Sequence, residues 1–326
     1  MTIKKNIAVL CGGYTSERQI SINSAKQIIE NIDKNLFNSY LVEVSHEGFY
    51  IIFTNEKLKV NLNDFSFESN CEKIKFDYAF IIIHGSPGED GKIQGYFDII
   101  NIPYSSCNVL ASAITYNKLA CKFFLSNNKN ITMAKMIVIN KDSCFSIENL
   151  VETIGLPCFI KPNTSGSSYG ITKVYDKEKI IEAINEARKE DNTVLIEEFI
   201  NGVEVSCGIV KTKTQTYIFP ITEISTKNDF FDTQAKYEDG FTEEITPARI
   251  SEQTTKLVQE TTLKIYDELN CEGIVRVDYI IKNEVPYFLE INSIPGMSAA
   301  SIVPKQIRVA GKNISEILTE IIQEKL

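Results

Sequence analysis

The stretch "GIVRVDYIIKNEVPYFLEINSIPGM", Gly273 to Met297, constrains this chain more than any other. It reads as two apolar strands joined by a short polar turn. Val275, Val277, Tyr279 and Ile281 alternate with Arg276 and Asp278, while Leu289 and Ile291 alternate with Glu290 and Asn292. Because side chains on a strand alternate with a period of two, all four polar groups share a face only if the loop has an odd residue count or the ladder a bulge. A register pairing Asp278 with Glu290 meets that condition, with Asn283, Glu284 and Val285 in the turn. Two carboxylates and an amide oxygen side by side repel one another unless a cation lies among them. A hard cation fits, since Mg²⁺ is held by one or two carboxylates plus substrate phosphates. The alternative is a solvated sheet face carrying an Arg276–Asp278 pair.

The remaining sequence alternates strands with helices at first and then changes character. Ile7–Cys11 is an expected strand, Gly12-Gly13 a tight turn and Ser21 onward a helix; Leu41–Val44, Tyr50–Phe53 and Tyr78–Ile83 are further strands. A helix from about Gln94 and a short strand near Pro103-Tyr104 follow, so the first 115 residues predict a parallel, doubly wound sheet. Four short strands, "AKMIVI", "LPCFIKP", "GITKVYD" and "NTVLIEEFI", with one helix at "DKEKIIEAINEARK", predict an antiparallel α+β unit. Beyond "VEVSCGIV" lies a polar stretch from Thr222 too long for a plain connection, which reads as a lid. A helix capped by Ser251 with Val258, Thr262, Ile265, Tyr266 and Leu269 on one stripe precedes the hairpin, and "NISEILTEIIQEKL" is a final helix. The fold class is therefore α/β with α+β, divided as 1–115, 116–207 and 208–326, with the lid at 222–247.

Length and charge narrow the partners. The chain has 326 residues and 34 basic against 43 acidic side chains, a net charge of −9, which gives no general attraction for nucleic acid or anionic membranes. No segment reaches 18 apolar residues, and "MTIKKNIAVLCGG" is expected as a first strand. Eight dispersed cysteines without a C-x-x-C pair, and two histidines, point to free thiols in a reducing cytoplasm rather than to disulfides or zinc.

Several segments could serve the hairpin. "FIKPNTSGSSYG" places Lys161 at a strand end before a loop rich in hydroxyls and glycine, where backbone amides can cradle phosphate; it is not a Walker loop. "VLIEEFINGVE" offers Glu197, Glu198 and Glu204, which could meet an amino group and ribose hydroxyls or be merely solvated. "HGSPGEDGKIQGYF" runs from a buried strand into a helix, a common ligand-binding position in a doubly wound sheet, with His84 at its start. "CGGYTSERQIS" joins a strand to a helix without the dinucleotide fingerprint; Glu17 there could receive an ammonium group or simply be first-turn helix charge.

Taken in order, "GGYTSERQIS", "HGSPGEDGKIQG", "YNKLACK", "IKPNTSGSSYG", "LIEEFINGVE", "AKY", "VRVDY" and "FLEINSIPGM" resemble the ATP-grasp D-alanine–D-alanine ligase family over essentially the whole chain. The resemblance implies an ATP-grasp fold preceded by a Rossmann-like domain, ATP held between two antiparallel sheets, D-alanine as both substrates and a homodimer. It implies that Lys118 and Lys161 contact the α and β phosphates, with Ser168 and Glu198 also at the nucleotide. Glu197 and the backbone of Ile200 would meet adenine, Glu204 ribose and Lys236 the γ-phosphate. Asp278, Glu290 and Asn292 would ligate two Mg²⁺ ions, for which Mn²⁺ can substitute. Glu17 would hold the first ammonium in a set with Ser167 and Tyr237 that closes the lid. Arg276 and the Gly296 amide would stabilise the oxyanion, and Ser301 and Ile302 would bind the second amino acid with His84 nearby. The chain departs from common family forms at Asn117, at Glu198 and in "NTSG"; "AKY" favours amide over ester formation.

Overall fold

A computed structural model of the chain describes residues 4–53, 56–164, 166, 169–226 and 242–326. Its first sheet has the order Lys57–Lys59, Gly48–Ile52, Phe37–Ser45, Lys5–Gly12, Tyr78–Ile81. The three strands Phe37–Ser45, Lys5–Gly12 and Tyr78–Ile81 are parallel, but the other two pair antiparallel, so the sheet is mixed rather than wholly parallel. The reason is local: "SHEG" between Ser45 and Gly48 allows a hairpin return, leaving no room for a crossover helix. The central strand reads as a continuous apolar run, with Ile7 to Leu10 wholly buried. Helix Arg18–Asn31 comes next and starts three residues before the expected Ser21.

The second sheet is four-stranded and antiparallel, in the order Thr172–Val174, Cys158–Pro162, Val194–Glu198, Met136–Ile139. Helices Ile147–Ile154 and Ile180–Ala187 pack on it; the first of these is not in the sequence reading, although Ser146 caps it through Asn149 N. The third sheet carries Thr242–Ile245, Thr222–Thr226, Val203–Lys211, Gly273–Lys282, Val285–Asn292 and Thr132–Met133 in that order. Two expectations change here. The strand Val203–Lys211 pairs along its whole length with Gly273–Lys282, so the boundary expected after residue 207 falls inside a strand. The ends of the expected lid loop are strands: Glu223 pairs with Ile245 and Thr226 with Thr242, held by Arg249 on Glu223 at 2.5 Å.

Helix Glu252–Glu268 begins at Ser251 and buries the expected stripe on the third sheet. The last helix, Ile314–Gln323, packs back onto the first sheet, where Ile317, Leu318, Ile321 and Ile322 join its apolar core. All eight cysteines are free thiols, six of them buried. No helix among the described residues is long and apolar enough to cross a membrane.

Candidate active site

The hairpin turns through Asn283 and Glu284 alone, both at positive φ (51° and 64°), the backbone that matches the twist of antiparallel strands. Val285 pairs with Lys282 and is not part of the turn. Parity comes instead from a bulge beside Asp278. Tyr279 sits opposite Phe288 while Asp278 sits opposite Glu290, so Leu289 is the extra residue. Arg276 faces Asn292, and the four polar groups share one face by this bulge rather than by loop length.

On that face Arg276 donates from Nε and Nη2 to the two oxygens of Asp278 at 2.8 and 2.7 Å. Ser206 Oγ on the neighbouring strand donates to Asp278 Oδ1. Burial would weaken the charged form of Arg276, but Asp278 beside it, then Glu290 and Glu204, push its pKa up. Asn292 Oδ1 accepts from Ile294 N at 3.0 Å and keeps a second lone pair. Asp278, Glu290 and Asn292 thus form an all-oxygen donor set of the kind that suits Mg²⁺ or Mn²⁺. No group of three or more His, Cys, Asp and Glu side chains at metal-binding spacing occurs among the described residues. A cation on this face would therefore need phosphate or water oxygens as well, the usual arrangement for Mg²⁺.

Across from the hairpin, helix Lys118–Leu125 starts at Asn117, whose side chain accepts from Ala120 N at 2.8 Å. Asn163 receives the next two amides, Lys118 N on its carbonyl and Leu119 N on its side chain. Lys118 Nζ lies 3.4 Å from Glu290 Oε2 and so bridges to the hairpin. Lys122, one turn on and on the same face, meets Glu197 Oε1 at 2.6 Å; Lys161 from the second sheet meets Oε2 at 2.8 Å. All three are buried. Burial would raise the Glu197 pKa, but Lys122 and Lys161 outweigh it and hold the carboxyl at about 2. Lys122 is absent from the sequence-based set; its signal is the four-residue spacing of the two lysines in "KLACK". Glu198 turns to the Lys135 amide at 2.9 Å, tying down the adjacent strand. Ile200 and Glu204 follow, half-buried, with Glu204 opposite Ile224.

At the other end, Glu17 stands at the N-cap position of helix Arg18–Asn31. A Cβ on Gly166 would stand 2.3 Å from Glu17 Oε2, so the glycine-serine loop closes directly over this carboxylate, and a side chain at 166 would have to displace it. His84 is buried with both ring nitrogens engaged, Nδ1 at 2.9 Å from Ile294 O and Nε2 at 3.4 Å from Ser24 Oγ. Burial lowers its pKa against the opposing pull of Glu17. Gly296 follows in the next loop, bounded by Ser301 Oγ, which would lie 2.9 Å from an added Cβ. Ser301 stands at the N-cap position of helix Ile302–Val309 with its Oγ 2.8 Å from Ser298 Oγ; the helix N-terminus favours a carboxylate, and Ile302 is buried behind it. Gln306 anchors that helix through Gly208 N, Ser206 O and Thr222 Oγ1, a role with no sequence signal. Ser167, Ser168, Lys236 and Tyr237 lie outside the described residues.

The described site residues thus come from elements of all three sheets. The family described as D-ala D-ala ligase N-terminus matches residues 6–107, and that described as D-ala D-ala ligase C-terminus matches residues 125–323. A Bacteroides fragilis protein named D-alanine--D-alanine ligase is 49% identical over 325 residues, 99% of this chain and 100% of that one. The structure of D-alanine--D-alanine ligase from Bacillus anthracis complexed with ATP is similar at a TM-score of 0.79 and 32% identity, covering 99% of this chain and 97% of that one. The VanG D-Ala:D-Ser ligase of Enterococcus faecalis is similar at 0.84 and 30% identity, covering 99% and 100%. The chain belongs to the D-alanine–D-alanine ligase family.

Proposed function

We propose that the chain is an ATP-dependent ligase that joins two D-alanines through a D-alanyl phosphate, giving D-alanyl-D-alanine, ADP and phosphate for peptidoglycan precursors. A carboxylate resists nucleophilic attack because of its charge. Phosphoryl transfer removes that charge and supplies a leaving group, so the second amine can add. The protein's task is to position reactants and balance charge.

The observation that carries this reading is the Lys118–Glu290 contact, which sets an acidic oxygen face against a lysine-rich wall. Lys118 and Lys161 would neutralise the α and β phosphates, with Lys236 at the γ-phosphate and Ser168 in the loop between. Glu197, the Ile200 backbone and Glu204 would hold adenine and ribose. Two Mg²⁺ ions, or Mn²⁺ in their place, held by Asp278, Glu290 and Asn292, would supply charge neutralisation on the phosphates. Glu17, with Ser167 and Tyr237, would hold the first ammonium. Arg276 and the Gly296 amide would stabilise the oxyanion, and Ser301 and Ile302 would seat the second amino acid. We divide the chain as 1–115, 116–202 and 203–326, the last boundary moved from 207 to keep strand Val203–Lys211 whole, and place the enzyme as a homodimer in the cytoplasm.

A second reading has the same chemistry with D-lactate or D-serine as acceptor. One structural neighbour, at a TM-score of 0.84, is titled a D-Ala:D-Ser ligase, but a D-alanyl-alanine synthetase from Vibrio cholerae lies at 0.89 and favours the main reading. ATP-dependent phosphate release with D-alanine, L-alanine, D-lactate and D-serine, with products identified by mass, separates the two. The main reading requires D-alanyl-D-alanine as the dominant product; a dominant mixed dipeptide or ester would replace it.

A further inference from the structure

One chain of hydrogen bonds grips the Gly296 loop from both sides. Met297 N donates to Ser24 Oγ at 3.1 Å, Ser24 Oγ lies 3.4 Å from His84 Nε2, and His84 Nδ1 lies 2.9 Å from Ile294 O. Proton counting fixes its direction. Ile294 O can only accept, so Nδ1 carries the proton; in a neutral imidazole Nε2 then accepts the Ser24 hydroxyl proton. Ser24 Oγ accepts in turn from Met297 N. Ser24, His84, Ile294 and Met297 are all buried, Ser24 completely. The two anchored residues flank Pro295 and Gly296. Ser24 belongs to helix Arg18–Asn31, which opens at Glu17, so one serine ties the first amino acid's side of the site to the loop on the other.

We propose that Ser24 is a positioning residue that, with His84, aims the Gly296 N–H at the developing oxyanion. The inference rests on the reading of Gly296 and Arg276 as oxyanion groups. An N–H of this kind lowers a barrier only if held in place before charge develops. Gly296 has no side chain with which to hold itself, and the Ser24–His84 chain fixes the Ile294–Pro295 and Gly296–Met297 peptide units, which flank the unit carrying the Gly296 N–H. Such a residue acts on the transition state and leaves substrate binding alone.

The test is Ser24→Ala, with folding checked by thermal melting. Turnover should fall about tenfold while KM for ATP and for D-alanine stay within about twofold. Affinity for a phosphinate dipeptide that mimics the tetrahedral carbon should fall by the same factor as kcat/KM. Unchanged phosphinate affinity, or a loss confined to KM, would overturn the proposal. If the alanine variant does not fold, Ser24→Cys replaces it: a thiol is a weak hydrogen-bonding group, and at least about a threefold loss of kcat is expected. Wild-type turnover in that variant would overturn the proposal equally. Arg276→Gln serves as the separate arm. If it too leaves turnover and phosphinate affinity intact, the oxyanion reading itself fails; if only Ser24 proves silent, that reading stands and this one does not.

Discussion

The hairpin face and the wall around Glu197 carry opposite charge balances. Arg276 against Asp278 and Glu290 leaves one negative charge in excess; Lys122 and Lys161 against Glu197 leave one positive. They differ in exposure as well. The Glu197 side chain is 3% exposed and that of Glu290 32%. A buried carboxylate between two ammonium groups is compensated in place and can form with the fold itself. An acidic face near the surface instead stays within reach of a cation arriving with the nucleotide. Both signs thus stand side by side in the site although the net charge is −9, as the proposed metal–nucleotide complex would require.

The largest test of this contrast removes the negative excess. Glu290→Gln should reduce turnover by at least about 100-fold. It should leave the melting temperature almost unchanged, because a partly exposed ion pair contributes about 0–1 kcal/mol. Phosphate release at the wild-type rate would remove Glu290 from the metal set. The converse change acts on the wall. Lys122→Met leaves Glu197 with Lys161 as its remaining bonded cation, and should destabilise the protein by about 2–3 kcal/mol, below the full cost of stranding a buried charge. KM for ATP should rise with it, while the effect on D-alanine binding stays small. Urea unfolding together with ATP saturation curves checks both; a stable variant with raised KM for D-alanine instead would assign Lys122 elsewhere.

The two regions were also unequally legible in the sequence. The hairpin announces itself because alternation on a strand sorts side chains by face, and Arg276, Asp278, Glu290 and Asn292 could be grouped from spacing alone. What spacing does not give is the bulge at Asp278, since the choice between an odd loop and a bulge depends on whether Asn283 and Glu284 adopt positive φ. The wall is harder to read. Lys122 meets Glu197 across 75 residues, a contact made by packing of a helix on a sheet and invisible to local pattern. Ser24 and Gln306 are small or neutral side chains on helices, where they read as ordinary polar positions. The mixed first sheet has a similar origin, since a short "SHEG" return outweighs the strand-helix alternation around it.

A third carboxylate sharpens the comparison, because burial alone does not fix the sign of a pKa shift. Glu89 is buried like Glu197, yet its carboxyl is pushed up to about 8 by that burial and then by Glu17, with the Gly85 amide at 2.6 Å and the more distant Lys118 and Arg276 opposing too weakly. The native state therefore keeps a proton that the unfolded chain releases near 4.5, and the contribution to stability declines as pH rises between those values. Glu89→Gln abolishes that decline while keeping an acceptor for Gly85. Relative to wild type, the variant should gain about 1–3 kcal/mol between pH 5 and pH 8. Urea unfolding at the two pH values measures the gap, and a gap independent of pH would mean that Glu89 is already ionised in the native protein at pH 5.

The smallest expected effect asks how far the positive wall depends on the start of one helix. Lys118 and Lys122 both ride on Lys118–Leu125, and Asn117 caps its first turn through Ala120 N. Asn163 holds the neighbouring amides of Lys118 and Leu119 from the strand side, so the helix start is fastened twice. Asn117→Ala removes one fastening and should cost about 1 kcal/mol, the usual value of an N-cap bond. The second fastening should keep both lysines near their partners, so KM for ATP should rise by no more than about fivefold, the stability change expressed as a ratio. Asn117→Asp keeps the acceptor and adds a negative charge where the helix dipole favours one, and should match or slightly exceed wild-type stability. A tenfold or larger rise in KM for ATP in the alanine variant, without greater loss of stability, would show that Asn117 sets the lysines directly and that Asn163 does not share the load.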